Sequence, residues 1–273
     1  MGFRFRILES SSAGNCGLLE STQCRILVDA GLSCRRIGQK LEACGLRLED
    51  LDAVLITHEH NDHCQGLRGL SRFADLPIFA NADTAQALKG KYTKTPHWQI
   101  FPSGATFTFA DLRITSFSIP HDAYDPVGFV ISSPSTNGDS GDLFHPLQSM
   151  AWVNDLGYIP NLVRERVRGV DLLVLEANHD IAMLDNDTRR PWSTKQRIRG
   201  RHGHLSNDAA REFLAETAPT STWREVCLSH LSRDCNHLDR IQQCFANGFP
   251  GTFTLSVVDP ASQDGTATLH AVR

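Results

Sequence analysis

Apolar positions at the start of the chain fall into short runs broken by small polar residues. FRFRIL, CGLLES and CRILVDAG, between residues 3 and 31, read as strands punctuated by the Ser/Gly stretch SSSAGN. RRIGQKLEACG then changes to helical spacing and reaches Gly45, a residue suited to ending a helix. LDAVLIT has the near-continuous apolarity of a buried strand, and QGLRGLSRFA follows as a helix. Next come a strand at LPIFAN, a helix around DTAQALKG and strands within ATFTFADLRITSFSIP. PVGFVISS and QSMAWVNDLG predict paired strands joined by STNGDSGDLFHP, a Gly/Asp/Ser-rich loop at residues 135–146. VDLLVLEAN predicts another buried strand, SNDAAREFLAET a helix with Ser206 as its N-cap, and WREVCLSHLS a return strand.

Strands first, an αβ alternation, more strands and then αβ again do not suit a simple parallel doubly wound sheet. Two mixed β-sheets covered by helices, an α/β architecture, fit the order better. No internal repeat or strong linker divides the 273 residues, so one domain over 1–273 is expected. Residues 180–204 are polar and basic and read as the least regular part, an insert or loop.

With 41% hydrophobic residues the chain can bury a sizeable core, and a net charge of −4 gives no global positive field for nucleic acid or membranes. A polyanion would have to meet a local patch. The eight cysteines form no C-x-x-C pair, which suggests reduced thiols in a cytoplasmic protein rather than a disulfide framework. The opening MGFRFRILES alternates like a strand, not like the apolar centre of a secretory leader, and no run approaches a membrane span.

The chemistry concentrates in THEHNDHCQG, residues 57–66, directly after the apolar run LDAVLI. His58, His60, Asp62 and His63 offer three nitrogen donors and one oxygen donor at a strand end. In an extended segment His58 and His60 project to one side and can close on one cation, while Asp62 and His63, past the turn, can face a second. A histidine-rich surface loop is the plain alternative, but a chance H-x-H-x-D-H is on the order of one in a thousand per chain. Two adjacent divalent ions would lower the pKa of a bridging water and clamp the attacking and leaving oxygens of a phosphodiester. Mixed His/Asp sites take zinc, manganese or iron, and no G-x-S-x-G elbow suggests a serine nucleophile.

THEHNDH resembles the signature of the metallo-β-lactamase superfamily. His121 in IPHDAYDPVGF, Asp155 in NDLGY and His230 in LSHLS are similar, in order, to its later motifs. Alone, each of these three would read as a structural residue; order and context reverse that reading. The resemblance implies an αββα sandwich and a metal site of His58, His60 and His121, with a second of Asp62, His63 and His230 and Asp155 bridging. SSAGNC, VDAGLS, PHDAYDPVGF, LEANHD, GHLSN and HLSRDCN further resemble the YycJ/WalJ branch, which implies 5'-to-3' exonuclease activity on DNA. Asn154 and Cys235 depart from that branch, where Thr and Asn are usual, without removing a ligand. Asp29 in LVDAGL reads as a carboxylate that orients a ligand histidine.

In the related tRNA 3'-processing nucleases a histidine paired with an acidic residue donates a proton, and His204 and Glu176 resemble that pair. Asp62, Glu176 and His204 are therefore the catalytic candidates; a capping or core role is the alternative for His204, and His179 stays open. RRPWSTKQRIRGRHGH, residues 189–204, places Arg197, Arg199 and Arg201 beside Trp192, so these arginines, with Ser206 and Ser232, are the substrate-binding candidates. A solvated charged face is the alternative. The function expected is two-metal hydrolysis of phosphodiester bonds in DNA rather than RNA. A metallo-hydrolase of a small cyclic phosphodiester, thioester or lactone, and a metal-binding regulatory protein without turnover, are the competing readings.

Overall fold

The computed structural model describes residues 2–92, 94–133, 147–246, 248–249 and 253–258, and the backbone of 269–271. The first sheet holds, in spatial order, β1 (Arg4–Ser11), β2 (Gly14–Glu20), β3 (Arg25–Val28), β4 (Ala53–Leu55), β5 (Pro77–Ala80) and β6 (His97–Ile100). β1 to β3 are antiparallel neighbours, and β3 to β6 run parallel. The second sheet holds β7 (Thr106–Phe109), β8 (Leu112–Ser118), β9 (Val127–Ser132), β10 (Ser149–Val153), β11 (Leu172–Glu176), β12 (Glu225–Ser229), β13 (Thr254–Val258) and β14 (Leu269–Ala271). Its middle, β10 to β13, is parallel, with antiparallel partners on either side. The helices are α1 (Cys34–Glu42), α2 (Asn61–Cys64), α3 (Leu67–Leu70), α4 (Ala82–Leu88), α5 (Asn161–Val167), α6 (Ile181–Asn186), α7 (Trp192–Arg199), α8 (Asn207–Thr217) and α9 (Leu238–Cys244).

Strand alternation assigns each apolar side chain to one of three cores. Ile26 and Val28 of β3 meet Trp152 of β10 and Val174 of β11 between the sheets. Their neighbours point the other way: Leu27 packs outward with Ile37, Leu41 and Leu88, and Leu173 and Leu175 with Val163, Phe213 and Ile241. The result is helix, sheet, sheet, helix, the α/β sandwich of two mixed sheets that the element order implied. Parallel strands covered on both faces need apolar residues at successive positions, which is why LLVL reads as an unbroken run.

Several elements escaped sequence reading. NLVRERV forms α5, and β6, α9, β13 and β14 were not anticipated. The segment at 180–204, expected to be irregular, carries α6 and α7, the first capped by the Asp180 side chain on the Met183 amide at 2.7 Å. The loop at 135–146 lies outside the described residues.

The parallel strands of both sheets end toward one rim, and the short α2 is fixed there by close backbone approach. Ala30 N donates to His63 O at 2.8 Å and Gly31 N to Asn15 O at 2.8 Å. A Cβ at Gly31 would sit 1.6 Å from Asp62 O and 2.6 Å from Asn15 N. Gly31→Ala should therefore destabilise the fold by about 1–3 kcal/mol in urea denaturation, the usual range for overpacking. A loss under about 0.5 kcal/mol would show that α2 does not rest on this contact.

A candidate metal centre at the strand ends

Each donor side chain sits just beyond a strand or at its last residue. His58 and His60 follow β4, Asp62 and His63 lie in α2, and His121 follows β8. Asp155 follows β10, Glu176 ends β11 and His230 follows β12. The carboxyl ends of parallel strands are where open α/β sheets place ligands. Of the four non-glycine residues with positive φ among the described residues, three are here: Asp29 at 61°, Asp155 at 60° and His230 at 57°. Left-handed backbone is costly for such residues, and it turns each chain sharply off its strand so that the side chain faces the rim.

His58 and His60 were expected in an extended segment at a strand end. They lie between β4 and α2, with extended backbone at His60 and rings 4.7 Å apart edge to face. His121 joins them, its Nε2 3.2 Å from His60 Nδ1. One possible donor atom from each of His58, His60 and His121 lies within 4.8 Å of the others, and the same holds for Asp62, His63 and His230. Asp155 reaches into this second set, with Oδ2 2.8 Å from His63 Nε2 and Oδ1 3.4 Å from His230 Nε2. It also groups with His58 and His63, so the seven candidates converge in one cluster.

A set of partners holds the imidazoles by their other nitrogens. His63 Nδ1 donates to Asp29 Oδ2 at 2.8 Å, and Asp29 also accepts from Thr57 N at 2.9 Å and Trp152 Nε1 at 3.1 Å. His121 Nδ1 donates to Gly203 O at 3.1 Å and His230 Nδ1 to Glu176 Oε1 at 2.8 Å. Each then turns Nε2 toward the cluster. Two of the cluster's nitrogens, His58 Nε2 and His230 Nε2, are buried without a hydrogen-bond partner. His63 Nε2, bare when Nδ1 carries the proton, faces a carboxylate oxygen of Asp155. Buried lone pairs without donors, set beside carboxylates, fit cations.

Electrostatics points the same way. Burial drives His58 well below the usual imidazole range, with His63 adding to it. Burial opposes charge on His63 and His230, yet Asp155 and neighbouring carboxylates lift His63 well above that range and His230 to about 10. Asp155 is held well below the usual carboxylate range because His230 and His63 outweigh its burial, and Glu176 falls to about 2 because His204 and His230 outweigh burial. Buried carboxylates here require positive charge nearby, as protons on imidazole or as metal ions.

Of the catalytic candidates, Glu176 and His204 form a pair. Glu176 is fully buried; its Oε1 accepts from His204 Nδ1 at 2.8 Å, and Oε2 from the Leu156 and Leu205 amides at 3.0 Å each. The Glu176 charge raises the His204 pKa against burial. Asp62 stands at the edge of the cluster, Oδ2 3.6 Å from both His63 Nε2 and His230 Nε2. His179 is buried, and burial lowers its pKa to about 4, so it stays neutral at pH 7.

The substrate-binding candidates are arranged differently from the expectation. Ser206 Oγ caps α8 by accepting from the Ala209 amide at 3.2 Å, and Ser232 Oγ accepts from Cys235 N at 3.1 Å. The basic stretch is not a bare cationic patch. Arg189 and Arg190 pair with Asp187 and Asp234, Arg197 with Asp122 at 3.1 Å and Arg199 with Asp185 at 2.6 Å. Lys195 donates to Asp185 O, and Arg201 lies over the Tyr158 ring. Asp185 and Asp187 just upstream, with Asp122 and Asp234, offset four of the six positive charges, while Trp192 remains 62% exposed.

Residues that sequence reading passed over connect the motifs. Asn15 Nδ2 lies 3.1 Å from His63 Nε2, Ser10 Oγ donates to Asn15 Oδ1 at 3.0 Å, and the His230 amide to Ser10 Oγ at 2.9 Å. Asn178 Nδ2 donates to His230 O at 2.8 Å. SSSAGN, taken for turn punctuation, thus links the His63 and His230 segments; the one available signal was its match to the branch motif. All eight cysteines are free, and no helix among the described residues is long and apolar enough to cross a membrane.

A sequence profile for the beta-lactamase superfamily domain matches residues 24–230. The chain is 34% identical over 238 residues to the exodeoxyribonuclease YycJ of Bacillus anthracis, covering 86% of this chain and 85% of that protein. It is 36% identical over 240 residues to the exodeoxyribonuclease WalJ of Streptococcus pneumoniae, covering 86% and 84%. In three dimensions it is similar to the metallo-beta-lactamase fold protein YhfI of Bacillus subtilis, with a TM-score of 0.66, 17% identity and 98% and 99% of the two chains covered.

Asp29→Asn keeps a side chain that tolerates left-handed backbone but replaces the oxygen that receives the His63 proton. Metal affinity, read by competition with a zinc chelator, should fall by about 10- to 100-fold. Affinity equal to the parent protein would break the orienting role of Asp29.

Proposed function

We propose, from the premise that this chain belongs to the beta-lactamase superfamily and to its branch with YycJ and WalJ, that it is an exonuclease that degrades DNA from 5' to 3' with two divalent metal ions. It is a metal-dependent hydrolase, and the relatives named for exodeoxyribonuclease activity make nucleic acid the favoured substrate. The 5'-to-3' polarity follows from the resemblance of the motifs to that branch. The observation that supports the two-metal reading is the approach of two donor sets, His58/His60/His121 and Asp62/His63/His230, with Asp155 beside both. Zinc or manganese suits such mixed nitrogen and oxygen donors, and iron is compatible with them. Bound there, divalent cations would polarise the phosphodiester and bring the pKa of water toward neutrality.

The chain's own residues supply the rest. Asp29, Gly203 and Glu176 orient the imidazoles of His63, His121 and His230. Glu176 also holds His204 by Nδ1, leaving Nε2 to face the rim, where the ring is 17% exposed and lies between His121 and His230. A proton carried on that imidazole, stabilised by the Glu176 charge, can pass to the departing sugar oxygen. Asp62, at the edge of the cluster, would accept a hydrogen bond from the attacking water.

Asp155→Ala and His60→Ala should each abolish hydrolysis of bis(p-nitrophenyl) phosphate while the protein remains folded by circular dichroism. Retained turnover by both variants would reject the two-metal mechanism. His204→Ala should lose about 10²- to 10⁴-fold on DNA and much less on the activated ester, whose leaving group hardly needs a proton. Equal losses on both substrates would remove His204 as the proton donor.

A further inference from the structure

The cations that remain available to a polyanion are not those of α7. Arg68, Lys89, Lys91 and Lys94 are exposed, and none makes an ion pair among the described residues. Three of them lie in KGKYTK, residues 89–94, with Tyr92 between. Two cavities open along this side. One of about 860 Å³ is bordered by His60, Arg68, Lys91 and Tyr92, and one of about 360 Å³ by Tyr92, Lys89, Lys94 and Trp98. His60 belongs to both the first cavity and the candidate metal cluster, and Tyr92 borders both cavities. The two cavities thus meet at Tyr92, with Arg68 and Lys91 on the side of the cluster and Lys94 and Trp98, on the edge strand β6, on the other.

Its chemistry is that of a single-strand track. Volumes of this order hold small organic groups of nucleotide size. Unpaired cations serve phosphates without sequence preference, and half-buried aromatic rings offer faces for unstacked bases. Tyr92 is anchored through its hydroxyl, which donates to Cys64 O at 3.3 Å, and both rings pack on the core beneath, so little freedom is lost on stacking.

We infer that single-stranded DNA extending from the candidate metal centre runs along this Arg68–Lys91–Tyr92–Trp98 path, with α7 contributing less. The inference rests on the nuclease reading above.

The test compares the parent protein with the triple variant Arg68→Ala, Lys91→Ala, Lys94→Ala, all exposed positions where truncation costs little stability. Fluorescence anisotropy of a labelled 20-nucleotide single strand across salt concentrations should give a slope of log K against log salt shallower by about 2 in the variant, from about 0.7 for each phosphate no longer neutralised. KM should fall with length from 4 to 20 nucleotides in the parent, and that advantage should shrink at least tenfold in the variant. A matched variant, Arg197→Ala, Arg199→Ala, Arg201→Ala, should change both readouts less. If the variant at 68, 91 and 94 keeps the slope and the length advantage, or the α7 variant shows the larger change, this path is wrong while the nuclease reading stands. If the parent protein hydrolyses bis(p-nitrophenyl) phosphate but no DNA of any length, both fall. Preference of the path for a 20-nucleotide RNA with no DNA affinity would also overturn it.

Discussion

Burying Asp29, Asp155 and Glu176 among the imidazoles of His58, His63, His121 and His230 is the constraint to which the rest of the molecule answers. An unpaired carboxylate in such a place would cost several kcal/mol, so every one of these groups must be met by a donor or a cation. The chain meets part of the demand itself. Asp29 accepts from His63, Thr57 and Trp152, and Glu176 from His204, His230 and two backbone amides. Asp155 is different. Its oxygens face Nε2 of His63 and of His230, and its share of compensation comes from the centre of the cluster.

Both sheets contribute to that cluster. His58, His60, Asp62 and His63 extend from the first, His121, Asp155, Glu176 and His230 from the second. A slip of one sheet against the other would separate the two halves of the donor set. The inter-sheet core resists such a slip by packing Ile26 and Val28 against Trp152 and Val174, and one hydrogen bond ties that packing to the chemistry. Trp152, fully buried in β10, donates its indole N–H to Asp29, which follows β3 in the other sheet and holds His63. Core packing and imidazole orientation are thus coupled through one carboxylate, and the left-handed backbone at Asp29, Asp155 and His230 is borne where rigid strands fix both ends of each turn.

How much of this was legible in the sequence follows from the range of each interaction. The H-x-H-x-D-H cluster could be read because its donors are spaced within six residues, and the order of strands and helices, with unbroken apolar runs such as LLVL, made the two-sheet arrangement readable. His121, Asp155 and His230 were reached by the likeness of their motifs, since a lone histidine or aspartate carries no positional signal of its own. The partners that orient them were not legible. Trp152 to Asp29 spans 123 residues, and Ser10 to His230 spans 220. Such contacts leave no period to detect, so SSSAGN looked like a turn. α5 was missed because NLVRERV buries only Val163 and Val167 and otherwise reads as a polar connection.

Charge shows the same limit with the opposite sign. RRPWSTKQRIRGRHGH read alone shows only its cations; Asp185 and Asp187 stand just before it in the chain, and Asp122 and Asp234 reach it through the fold. KGKYTK holds fewer cations, yet among the described residues no carboxylate pairs with its lysines. Coulomb attraction for an incoming phosphate depends on the field left after internal pairing, and a cation already paired within about 3 Å presents little of it beyond a Debye length. Cationic residues should therefore be counted after folding rather than along the chain. By that count Arg68 and Lys91 keep their charge where they line the cavity that reaches His60, with Glu59 as the carboxylate on the same wall. In a chain of net charge −4, such local cations rather than the global balance decide where a polyanion can be met.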